Sequence, residues 1–374
     1  MNKKKILIID CGSPSLTYKI VYFLRKYFEI TLIQLLIRGG VATGEYEKLG
    51  VKFYSFNIIG CGYSNPFKIL SGFREILNFL FFLNKLKKQK YNYVLTKVGY
   101  NRVAYLIFKI FKDSKKIYFP YDIDLFSQSN KGDRRKLEIF AEKYCFENAD
   151  YIFHKGPEWE LDLIKKEEVK KIEGRPIQLL PWCFDEWMSP LRSNKSKQKK
   201  IQLIYAGGYP SKFDPLYKIQ FREVAKLIAK QSIDLHIYPL QKVKAFRERE
   251  IHIHKSLPNA ILNRKISKYH YGISISFLNK DKIDPRFSKT TVGNKIFTYL
   301  EAGIPIIIDD NAEFMASLVR KYNCGIVISE KDLYNLSEII RQADYDFLMQ
   351  GVKKARENLL MSKNIKKIFL QLND

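Results

Sequence analysis

The chain has 374 residues, enough for two domains of ordinary size with their own cores. Its 46% hydrophobic and 14% aromatic content exclude a largely disordered protein. The formal net charge of +26 favours anionic partners at long range.

The N-terminal Lys3-Lys4-Lys5 leads directly into Ile6 to Asp10, which reads as a short strand and not as the apolar core of a signal peptide. Gly12-Ser13-Pro14-Ser15 is a loop, and Leu16 to Lys26 places Ile20, Val21, Phe23 and Leu24 at helical spacing. With a second strand at Ile30 to Leu36 this is a βαβ opening. Further strands are expected at Tyr93 to Thr96, Lys116 to Phe119 and Tyr151 to His154, with a helix at Arg134 to Asn148 between the last two. Arg192 to Lys200 contains no apolar residue and reads as an exposed linker. The pattern then restarts: a strand at Ile201 to Tyr205, a Gly207-Gly208 loop, a helix at Phe221 to Lys230 and a strand at Leu235 to Tyr238. Ile251 to His254, Gly272 to Phe277, Ile304 to Ile308 and Gly325 to Ile328 are expected to be strands, and the lysine-rich stretch from Glu338 onward helical. The expected organisation is a Rossmann-like domain at 1–190, a linker at 191–200, a second Rossmann-like domain at 201–345 and a helical segment at 346–374.

No apolar run is long enough to span a bilayer, since Ile69 to Leu83 is interrupted by Arg74, Glu75 and Asn78. Cys11, Cys61, Cys145, Cys183 and Cys324 are scattered and lack metal-ligand spacing, so a reducing, cytoplasmic compartment is expected and no zinc site. Lys68 to Lys116 holds twelve Lys/Arg against Glu75 and Asp113. There Lys85, Lys87, Lys88, Lys90, Lys109 and Lys112 interleave with Phe73, Phe79, Phe81, Phe82, Tyr105 and Phe108. Such helices suit an anionic membrane surface, at about 1 kcal/mol per lysine near it. A generally lysine-solvated surface is the alternative. Nucleic acid would also be attracted, but no module that reads it is recognisable, so none is expected.

The most informative segment is Asn294 to Asp309, NKIFTYLEAGIPIIID. Ile296, Phe297 and Leu300 form a helical stripe, Gly303 stops the helix, Pro305 prevents its continuation, and Ile306-Ile307-Ile308 reads as a buried parallel strand. This helix–Gly–strand unit resembles the donor-site signature of GT-B glycosyltransferases. Other segments match that family in the same order: Cys11-Gly12-Ser13-Pro14, Glu142 to Gly156, Leu179 to Trp187, Ile204 to Pro215 and His252 to Ser276. The resemblance implies an α/β protein of GT-B fold, with two Rossmann-like domains facing a central cleft. It also implies a nucleotide-diphosphate sugar as donor substrate, no cofactor and no metal.

The chemistry explains the residue types. A nucleoside diphosphate is both anchor and leaving group, so backbone N–H groups in a Gly loop and at a helix start stabilise the charge it gains. Gly207 and Gly208 allow close approach to the diphosphate. Lys212 follows on the same loop as a cation for it, or is a solvated loop lysine. Lys295 sits in the first turn of its helix, against the helix dipole, a placement that an anion docked there would explain. Arg286 and Lys289 precede that helix and can serve the same end.

The resemblance is incomplete. Retaining members usually carry two Glu separated by seven residues, and here those positions are Thr290 and Thr298. Thr298 offers a ribose one short contact, and Glu301, one turn away, either takes over part of that role or is a solvated helix-end residue. The replacement leaves a catalytically degenerate scaffold partnering an active transferase open as an alternative. In the first half, Asp122 and Asp124 follow a strand in FPYDIDLF. They read as an acceptor-side general base, a structural turn or a metal signature of the other large glycosyltransferase fold. Gly12, Ser13 and His154 complete the acceptor-side candidates. His236, His252 and His254 alternate in strands and are expected to be packing or surface residues. The expected activity is sugar transfer to a cell-surface polysaccharide or lipid-linked oligosaccharide precursor by a cytoplasmic protein peripheral to the inner face of the plasma membrane.

Overall fold

A computed structural model of the chain describes residues 3–11, 14–35, 44–56, 66–120, 122–126, 133–167, 169, 171–192, 200–208, 214, 216–240, 243–279 and 281–373. The chain divides into two compact units, Met1–Leu179 with Ile368–Asp374 and Leu180–Lys367. Residues 180–190, expected with the first domain, group with the second.

The first unit is built on β1 (Lys4–Asp10), β2 (Phe28–Leu35), β3 (Lys52–Phe56), β4 (Tyr93–Val98), β5 (Lys115–Pro120), β6 (Tyr151–His154) and β7 (Arg175–Gln178). They form one parallel sheet in the order β3-β2-β1-β4-β5-β6-β7. The second unit repeats the winding with β8 (Gln202–Gly207), β9 (Asp234–Pro239), β10 (Ile251–Ile253), β11 (Tyr271–Ser274), β12 (Ile306–Asp309) and β13 (Gly325–Ile328), in the order β10-β9-β8-β11-β12-β13. Parallel strands covered by helices on both faces need apolar side chains in both directions. That is why Ile6-Leu7-Ile8-Ile9 and Ile306-Ile307-Ile308 are fully buried without alternation. In each sheet the strand order reverses beside the first strand, between β1 and β4 and between β8 and β11. Ligands of doubly wound sheets bind beyond the carboxyl ends of strands at such a reversal.

β3 and β7 were not foreseen. Both are edge strands: β3 is half-exposed along its length, and β7 carries Pro176, which only an edge tolerates. The foreseen helix stop is present: the helix Lys295–Ala302 ends on Gly303 at φ 72°, the left-handed conformation that glycine adopts without strain. The helix Met361–Asn373 ends in the first unit, where Phe369 stacks on Tyr27 at 3.9 Å between ring centroids and the Leu372 carbonyl accepts the Tyr93 hydroxyl at 2.6 Å. Cys11, Cys145, Cys183 and Cys324 are free and buried. Among the described residues no helix is long and apolar enough to cross a membrane.

Candidate functional site

In the second unit the reversal point is shaped by β8, β11 and the helix Lys295–Ala302. β8 ends in Ala206-Gly207, and Gly207 takes φ 131°, a conformation closed to ordinary side chains. A β-carbon there would also lie 3.1 Å from Lys295 Cε. Gly208 follows as an exposed residue, its carbonyl accepting the Tyr205 hydroxyl. The Lys295 ammonium lies over the Tyr205 ring, 4.4 Å from its centroid. Among the described residues it has no carboxylate within ion-pair distance. A half-buried cation thus sits at a helix start beside a Gly-Gly turn, a combination that binds anions through one ammonium and several backbone N–H groups.

Tyr299 fixes this geometry. Its hydroxyl donates to the Ile273 carbonyl at 2.8 Å and accepts the Ala206 N–H at 3.1 Å, so one buried phenol joins the helix to the ends of β8 and β11. Burial pushes its pKa up, which keeps the phenol neutral and able to donate. Gly272 makes room for its ring, since any β-carbon there would overlap it. At the end of β12, buried Asp309 accepts the N–H of Ser276 at 2.7 Å and of Asn311 at 3.1 Å, holding the loop after β11.

The other donor-side candidates fall in different places. Thr298 lies one turn after Lys295 on the same half-exposed strip of the helix, with its hydroxyl donating to the Asn294 carbonyl at 3.3 Å. Glu301 does not share that strip and is not a solvated helix-end residue: it is 1% exposed. Its carboxylate accepts the Phe184 N–H and the Asn263 amide, each at 2.8 Å, so it anchors the segment that opens the second unit. Thr290 is buried, its hydroxyl donating to the Arg286 carbonyl at 3.0 Å. Arg286 spends its guanidinium on Asp284, the cap of its own short helix, with contacts down to 2.6 Å. Lys289 is exposed. Lys212 lies outside the described residues, as do Gly12 and Ser13.

In the first unit the carboxyl edge around the reversal carries buried charge. Lys97, at the end of β4, pairs with Asp10, at the end of β1, at 2.8 Å, and Gln34 approaches the other Asp10 oxygen at 3.5 Å. Asp122, just past β5, is 49% exposed at its side chain and lies 3.4 Å from the ammonium of the buried Lys155. Burial lowers the Lys155 pKa, and Asp122 opposes that shift. Asp124 opens a 3-10 turn, Asp124–Phe126, whose Leu125 N–H is capped by buried Glu142 at 2.7 Å. His154 is the last residue of β6. It is buried, and burial lowers its pKa to about 4, so it is neutral at pH 7 and packed within the sheet layer. The structure therefore brings Asp122 and Lys155 together and withdraws His154 from the surface. Lys97, Lys155, Tyr205 and Tyr299 were missed by sequence reasoning. The lysine signal was legible, since both follow or end apolar strands where a charge needs a reason.

Residues 204–372 match the family model for the glucosyltransferase 3-like C-terminal domain. None of the curated proteins matches the sequence. Solved structures match nearly end to end. Sucrose-phosphate synthase from Thermosynechococcus elongatus superposes with a TM-score of 0.68 at 11% identity, covering 99% of each chain. Anabaena HepE in complex with UDP and glucose gives 0.66 at 11% identity, again over 99% of each. The lipopolysaccharide outer core galactosyltransferase WaaB gives 0.58 at 10% identity, covering 98% of this chain and 99% of the other. At such identities the likeness speaks for the fold, which is GT-B. The whole chain thus has the GT-B fold, and its second half is similar to a glycosyltransferase domain. Lys295 lies within the segment that matches the glucosyltransferase 3-like C-terminal domain.

Proposed function

We propose that the protein transfers a sugar from a nucleoside-diphosphate donor, held in the second unit, to a cell-surface polysaccharide or lipid-linked oligosaccharide precursor. The observation that carries this reading is Lys295, whose ammonium sits over Tyr205 beside Gly207-Gly208 at a helix start. When the bond between the anomeric carbon and the diphosphate oxygen breaks, the leaving group gains negative charge. Lys295, the helix N–H groups and the Gly-loop backbone stabilise that charge without reorganising. In this reading lysine and backbone donors, not a metal ion, balance the diphosphate. Thr298, on the same strip as Lys295, is the candidate for a ribose hydroxyl. Glu301 is left out of that role because its carboxylate already accepts two buried hydrogen bonds, from the Phe184 N–H and the Asn263 amide.

On the acceptor side, Asp122 is assigned the proton of the attacking hydroxyl. Its half-exposed carboxylate is steadied by the Lys155 ammonium 3.4 Å away, which orients it. Asp124 is retained as a second candidate. The basic, aromatic stretch Lys68 to Lys116 supports an anionic membrane surface as partner, and hence a peripheral place on the inner face of the plasma membrane.

HepE was solved with UDP, which makes UDP the first nucleotide to try. Calorimetry of the full chain against UDP, GDP, ADP and CMP is expected to show one diphosphate binding clearly above the monophosphate. Absence of binding by all four ends the proposal.

A further inference from the structure

The helix Pro66–Lys87 has two chemically opposed faces. Phe79, Leu83 and Leu86 are buried, and Phe82 packs its ring on Tyr54 and Phe56 with centroids 4.5 and 5.3 Å apart. At about 100° per residue, the direction away from these residues carries Arg74, Leu77, Phe81 and Lys85, spaced i, i+3, i+7 and i+11. Leu77 is 49% and Phe81 77% exposed. Exposed Lys88 follows in the turn after the helix, and no acidic residue lies on the stripe, Glu75 being on the flank. Single exposed apolar residues need no explanation. Two large ones in register, bracketed by cations at both ends, form a pattern.

The pattern extends across the neighbouring helices of the same layer. The helix Pro66–Lys87 packs beside Asn101–Ile110, which packs on Asp133–Asn148. On the last of these Leu137 is 53% and Phe140 59% exposed, and Phe140 meets Tyr105 at 5.9 Å. Lys109 lies over the Tyr105 and Tyr144 rings, adding a cation to the same patch.

We propose that this helical layer, led by Arg74, Leu77, Phe81 and Lys85, is the surface that docks on an anionic lipid bilayer. Phe81 and Leu77 enter the boundary between headgroups and acyl chains, while Arg74, Lys85 and Lys88 meet anionic headgroups. Charge complementarity selects this occupant. A second copy laid face to face would set Lys85 and Lys88 against like charges. A nucleic acid would leave Leu77 and Phe81 without a use. A bilayer accepts both the apolar anchors and the flanking cations. The inference rests on the membrane reading proposed above and assigns it to one face.

Vesicle co-sedimentation tests it, using phosphatidylcholine alone and phosphatidylcholine mixed with phosphatidylglycerol. The wild-type chain is expected to bind the mixed vesicles and to lose binding on pure phosphatidylcholine. Phe81→Ser and the pair Lys85→Glu with Lys88→Glu are each expected to weaken that binding by roughly tenfold or more. Nucleotide binding by calorimetry, unchanged in both variants, shows that they are folded. If the wild type binds mixed vesicles and both variants bind equally well, the membrane reading stands and this face is overturned. If the wild type binds neither vesicle, or binds RNA instead with the same sensitivity to the variants, both are overturned.

Discussion

Lys295 occupies a position that its own helix disfavours, since a cation in the first turn meets the positive end of the dipole. The site offsets this through the Tyr205 ring, which attracts the ammonium by its π face, and through a bound anion in the proposed donor complex. The geometry depends on a neighbour that does not touch the donor loop's surface. Tyr299 satisfies the Ala206 N–H and the Ile273 carbonyl from one buried oxygen. Tyr299→Phe leaves both backbone groups buried and unpaired, so a loss of about 1–3 kcal/mol in urea unfolding is expected. An unchanged midpoint would show that water replaces the phenol at no cost. Lys295 was legible in the sequence; the anchoring bonds of Tyr299 and Glu301 were not. Ala206 and Tyr299 are 93 residues apart, and Glu301 and Phe184 117 residues apart, so no local spacing announces either bond. That is why Glu301 was read as a ribose contact or a solvated end when it is a buried anchor.

Strand and helix periodicity are local properties, and elements that depend on them were the most legible. The helix Lys295–Ala302, its Gly303 cap and β12 follow from apolar spacing, a left-handed glycine and a β-branched run. β3 and β7 were not legible because edge strands need no continuous apolar run and tolerate proline. The alternating histidines His236, His252 and His254 are expected from the sequence to be packing or surface residues, and the pairing of the strands adds a consequence. His236 lies opposite His252, their rings stack at 4.6 Å, and His236 Nδ1 is 3.0 Å from His254 Nε2. Burial first, and then its two histidine neighbours, lower the His236 pKa to about 3. Because the folded pKa lies below the unfolded value, the folded state binds fewer protons as pH falls. Stability is full above about pH 6.5 and declines from there toward pH 3. Between pH 6.5 and 5 His236 therefore lowers stability as the unfolded chain takes up its proton. Urea titrations at pH 7.5 and 5 are expected to show it, and His236→Phe to reduce the difference. An equal acid loss in that variant would place the cause elsewhere.

At the scale of the whole molecule, the two units repeat one winding, and the strand order of each sheet marks where its chemistry sits. The repeat was legible from two successive strand–Gly loop–helix openings. The boundary was not: residues 180–190 join the second unit because Glu301 binds the Phe184 N–H and Arg356 the Ser189 carbonyl, at 2.8 and 2.7 Å. The two units also differ in the charge they keep at these edges. The first holds paired charges, Asp10 with Lys97 and Asp122 with Lys155, whereas in the second the Lys295 ammonium lies over the Tyr205 ring with no carboxylate partner among the described residues. The central claim is that Lys295 reads the diphosphate of the donor. It is tested most directly by calorimetry of the full chain with UDP and with UMP, in wild type and in Lys295→Met. The account predicts that wild type prefers UDP by roughly tenfold or more, the worth of one charge-assisted contact, and that Lys295→Met erases most of this preference while still binding UMP. A Lys295→Met protein that keeps the full preference for UDP would contradict it.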